Sequence, residues 1–161
     1  MYLNRLSGEQ KELFLDLCIH ASKADGIFAE EEKQYIQQYC IEMQLETVRY
    51  SAQNDLESVI KKITEVSTDI DLKIILFEIS ALVLSDNTFD KQEQNLVDKL
   101  TAAFQLGADF KEKALTQLKN LMNVYGEVNR LLFESVILKY AGTHQVSLRR
   151  QDSVTLRSLI A

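Results

Sequence analysis

The segment KADGIFAEEEKQYI starts at Lys23, and the segment LSDNTFDKQEQNLV starts at Leu84. Laid over one another at an offset of 61 residues, they pair Asp25 with Asp86, Phe28 with Phe89, Glu32 with Glu93 and Ile36 with Val97. The same offset, without a gap, pairs Leu15 with Leu76 upstream and Gln44-Leu45 with Gln105-Leu106 downstream. One shift that holds over some thirty residues reads as an internal duplication, and a repeat of this kind decides the architecture before any single element does.

Each copy has the same local grammar. Leu6, Leu13, Phe14, Leu17, Cys18 and Ala21 recur at three- and four-residue spacing, the stripe of a first amphipathic helix. Asp25-Gly26 breaks it, because glycine accepts a positive φ. A second helix is predicted from about Ala29, burying Tyr35, Ile36, Tyr39, Cys40 and Met43. In the second copy, Asp71 to Ser85 is apolar nearly all round despite Glu78, which predicts the central helix. Asp86-Asn87 is its turn. Asp90 with Glu93 predicts a capping box for the next helix, with the stripe Leu96, Val97, Leu100, Ala103 and Phe104.

Between the copies, Glu46 to Val66 reads as a short helix, a break at Asn54-Asp55 and a second helix through Val59, Ile60 and Ile63. Thr68 or Asp69 is placed to cap the central helix. After Gly107, Asp109 opens a helix through Ala114, Leu115, Leu118, Leu121 and Met122, which Gly126 is expected to end. Glu127 to Ala141 is expected to be a second strongly buried helix, through Leu131, Leu132, Phe133, Val136, Ile137 and Tyr140. Ser147 to Ile160 would make a last amphipathic one. The expected fold is a single all-α domain over 1–161, a compact bundle of seven to eight helices. Its repeat units are about 6–45 and 67–106, and its C-terminal helices occupy 108–161.

Composition agrees with that class. The chain has no proline, no tryptophan and 5 glycines in 161 residues, so breakers of regular structure are scarce. A net charge of −6 argues against nucleic acid, which needs lysine and arginine to displace phosphate counterions. The apolar run Ile74 to Leu84 is too short for a membrane span and carries Glu78. The amino terminus, MYLNRLSGEQKELF, lacks the apolar core of a secretory signal. Cys18 and Cys40, without a CxxC pair, are expected to be reduced core or boundary residues. A disulfide between their consecutive helices is the alternative, against the redox poise of the expected cytoplasmic location.

The candidate chemistry sits at the two turns. Asp25 followed by Glu32, echoed by Asp86 followed by Glu93, invites comparison with a calcium loop. Aligning Gly26 with the sixth loop position puts Ala21 and Lys23 at the first and third positions, and Leu82 and Leu84 in the other copy. None of them offers the oxygen those positions require, so an EF-hand is excluded. The simplest role for the acids is local. Early in a helix Glu32 reaches back to free N–H groups, and Asp25 and Asp86 accept N–H groups within their own turns. The positive end of a helix also disfavours a cation.

An apolar helix running into Ala24-Asp25-Gly26, then a turn and a helix with the early Glu32, all repeated once, resembles the tellurite-resistance TerB-like family. The resemblance covers roughly residues 6 to 141 and departs from the pattern at Asn87 and Ala29. It implies a bundle of about seven helices with internal pseudo-twofold symmetry. The family's acidic positions fall on Asp25, Glu32, Asp86 and Glu93. By the same resemblance, those acids imply divalent-metal binding, tellurite or chemical stress resistance, and work at the cytoplasmic face of the membrane.

Other candidates are thinner. His20, at the edge of the first stripe and one turn after Asp16, is expected to be a boundary residue rather than a ligand; His144 has no functional reading. Arg149, Arg150 and Arg157 make the tail locally basic, a solvated face or a docking surface for an acidic partner or a membrane. No nucleophile–base pair and no phosphate loop is visible, so a non-enzymatic role is expected. The expected function is thus a cytoplasmic TerB-like stress-resistance domain holding a divalent metal ion at its turn acids. The alternative is a helical interaction or small-ligand module in which the acids only cap helices. Unidentified protein partners, a homodimer and peripheral membrane attachment are compatible with both.

Overall fold

A computed structural model describes residues 2–23, 30–85 and 91–141, the side chains of 30–32 and 133–141 excepted. Among the described residues, a 3₁₀ turn at Leu3–Arg5 is followed by six α-helices: α1 Gly8–Ser22, α2 Glu30–Met43, α3 Leu56–Val66, α4 Asp69–Val83, α5 Lys91–Ala103 and α6 Ala108–Ala141. There is no strand among the described residues. No helix is long and apolar enough to cross a membrane among them. The chain separates into two compact units, Met1–Leu115 and Thr116–Ala161.

In the first unit α1 packs against α2, α3 and α4, and α4 packs against α5 as well. The core contains every residue expected for α2: Tyr35, Ile36, Tyr39, Cys40 and Met43. Phe14 and Tyr39 meet edge to face with ring centroids 5.3 Å apart, the arrangement that aromatic quadrupoles favour. Two elements, α1 and α4, are buried on most of their circumference. The single stripe predicted for α1 is therefore too narrow, since Gln10, Leu15, Asp16 and Ile19 are buried too. Leu6 is buried but precedes α1, at the end of the 3₁₀ turn.

The 61-residue shift recurs in the backbone. α4 begins and ends 61 residues after α1. Ser7 caps α1 in a capping box with Gln10, and Thr68, one of the two predicted caps, does the same for α4 with Asp71. At the other end of each hairpin, Gln44 and Gln105 take left-handed φ values of 57° and 54°. Leu45 N–H then donates to Cys40 O at 2.9 Å, and Leu106 N–H to Thr101 O at 3.0 Å. Gln44 N–H donates to Ile41 O and Gln105 N–H to Ala102 O, which completes the same Schellman closure in both.

Three expectations need correction. No helix forms over 46–55, because those backbone groups are claimed by side chains of α1 described below. Gly126 does not end a helix: α6 runs through it. A glycine inside a helix costs only about 1 kcal/mol against alanine, less than breaking the hydrogen-bond ladder. Third, Leu131 and Leu132, expected to be buried, are 80 % and 61 % exposed; the other side chains expected to be buried there, from Phe133 on, lie outside the described ones. Periodicity marked an apolar face but not what covers it. The first two corrections remove the helix expected over 46–53 and merge the two expected on either side of Gly126; the one predicted over 147–160 lies outside the described residues.

Candidate functional site

The turn acids are only partly in view. Asp25 and Asp86 lie outside the described residues, as do the side chain of Glu32 and the predicted cap Asp90. Glu93 stands in the first turn of α5 and is half-buried. Among the described residues, no group of three histidine, cysteine, aspartate or glutamate side chains could hold a metal ion.

The best-built polar cluster lies elsewhere, on α1. Asp16 is 1 % exposed in the middle of the run Leu13 to Ile19. A charge there is stable only if every lone pair is satisfied. The segment between α2 and α3 does this. Arg49 Nη1 donates to Asp16 Oδ1 in a short ion pair, and the Gln53 N–H joins it on the same oxygen at 2.9 Å. Asn54 donates to Oδ2 twice, from its backbone N–H at 3.2 Å and its side-chain amide at 2.8 Å. Arg49 in turn donates to Ser51 O, Glu12 O and Glu12 Oε2.

Burial alone would raise the Asp16 pKa. Hydrogen bonds from Asn54, Gln53 and Arg49, with the guanidinium charge, outweigh it and hold the carboxyl below its ordinary value. Fully engaged and ionised, Asp16 is an anchor and not a proton carrier. One turn on, His20 Nε2 is 2.8 Å from Asn54 O. A carbonyl oxygen only accepts, so that nitrogen carries the proton. His20 is thus a half-buried boundary residue, as expected. Lys23 Nζ donates to Tyr50 O at 2.9 Å, a third clamp from α1 on the same segment.

A second buried acid, Glu78 on α4, accepts from the Tyr2 N–H at 3.3 Å, while its backbone carbonyl takes the Tyr39 hydroxyl at 2.9 Å. Glu42 Oε1 accepts the neighbouring Leu3 N–H at 3.0 Å. The cysteines are free and buried. Burial, with the charge of Glu12, pushes the Cys40 thiol up to about 11, which removes it as a nucleophile at neutral pH.

The sequence reading missed the Asp16–Arg49 pair, although a signal existed. Asp16 is the one charge inside the apolar run Leu13 to Ile19, and Arg49 is the one arginine between Arg5 and Arg130. A buried acid needs a partner, and the irregular segment offered one. His144 and the tail arginines lie outside the described residues. Compared with known proteins, the chain matches no family model, no curated protein and no solved structure.

Proposed function

We propose that this chain is a cytoplasmic, non-enzymatic TerB-like domain that serves in tellurite or chemical stress resistance by holding a divalent cation at Asp25, Glu32, Asp86 and Glu93. The observation that supports it is the recurrence of helix ends, capping boxes and left-handed closures at one 61-residue displacement. On this reading α1–α2 and α4–α5 are duplicated hairpins about a pseudo-twofold axis. Gln10 Nε2 donates to Asp71 Oδ2 at 3.1 Å, and these two residues are counterparts in the two copies. A residue that touches its own counterpart is what such an axis produces. The two acidic turns then occupy equivalent places.

Oxygen ligands without histidine or cysteine favour calcium, magnesium or manganese over zinc. The test is calorimetric titration of the whole protein with these four ions, repeated on the Asp25→Asn/Asp86→Asn double variant. Asparagine keeps the turn's hydrogen bonds and removes the charge. Heat from the wild type that disappears in the variant is expected. No heat and no thermal shift with any ion would sink the cation reading. The second reading, a helical interaction module whose acids only cap helices, is favoured by a specific feature: the apolar side chains of α6 that are exposed.

A further inference from the structure

We draw no further inference here: the strongest candidate, the exposed apolar face of α6 at Val124, Val128, Leu131 and Leu132, lies in the second compact unit, and nothing among the described residues shows what covers it.

Discussion

Where α1 carries Asp16 and Leu17, α4 carries Phe77 and Glu78 at the corresponding positions. The two hairpins thus share their caps and closures but bury different polar groups. In each, one acid is buried in the middle of the helix, and in each it accepts backbone N–H from a segment outside the α-helices. Asp16 holds Gln53 and Asn54, and Glu78 holds Tyr2. The position of the acid differs because the segment to be held differs. Helix ends follow a local code that a repeat preserves, while buried polar groups follow long-range neighbours that it does not.

The largest effect should come from breaking the Asp16 anchor. Asp16→Ala leaves the guanidinium of Arg49 and the amides of Gln53 and Asn54 facing an apolar wall, and should cost about 3–5 kcal/mol. Phe77→Ala, at the corresponding place on half-buried Phe77, has no such dependents and should cost clearly less. Urea denaturation compares them directly, and equal midpoints would remove the anchor from the account. The pH dependence gives a second reading. Because the Asp16 pKa is lower folded than unfolded, its contribution is complete above the unfolded value and is lost as pH falls through the folded one. Wild-type stability should therefore drop from about pH 5 downward. Asp16→Asn should flatten part of that slope; Asp55 and Asp71, also held below their ordinary values, would maintain the remainder.

The next effect concerns hydroxyls, and its sign differs between the copies. In α4, buried Ser80 donates to Leu76 O at 2.7 Å, the usual answer for a hydroxyl inside a helix. At the end of α1, Ser22 is 3 % exposed, and its Oγ has no hydrogen-bond partner among the described residues. An orphaned hydroxyl in an apolar site costs about 1–3 kcal/mol. Ser22→Ala should thus raise stability by about 1 kcal/mol, whereas Ser80→Ala loses a satisfied bond and should lower it. Thermal melts of the two variants should move in opposite directions; a fall for both would mean that Ser22 is satisfied in solution.

How much was legible in the sequence follows the same division. The stripes of α2 and α5, the cap at Thr68, the break at Asn54-Asp55 and the burial of α4 on most sides are local or periodic, and each was readable. The 46–55 segment was not. Its donors reach Asp16 across 33 to 38 residues of chain, and no local propensity carries that information. The exposure of Leu131 is similar: apolar spacing reports a face, and only tertiary structure reports a cover. Of the candidate site, Glu93 alone has a described side chain, in the first turn where the capping argument put it. The pairing of Gln44 with Gln105 was visible as a matched dipeptide, but its meaning needed the backbone. Glutamine has no preference for the left-handed region, and nothing in its chemistry announces a helix closure.

That pair provides the smallest and most even-handed test of the repeat. Gln44 and Gln105 are both exposed, both at φ near +55°, and both followed by a leucine whose N–H closes the helix. A side chain in this conformation is strained by roughly 1 kcal/mol or more, which glycine relieves. Glycine also loses more backbone entropy on folding, so the net gain shrinks to about 0.5 kcal/mol. Gln44→Gly and Gln105→Gly should therefore each raise the melting temperature slightly and by the same amount. The double variant should show the sum, since the sites do not share partners. A gain at one site and a loss at the other would mean that the two closures, alike in φ and in hydrogen bonding, are held by different forces. The hairpins would then resemble each other only in outline.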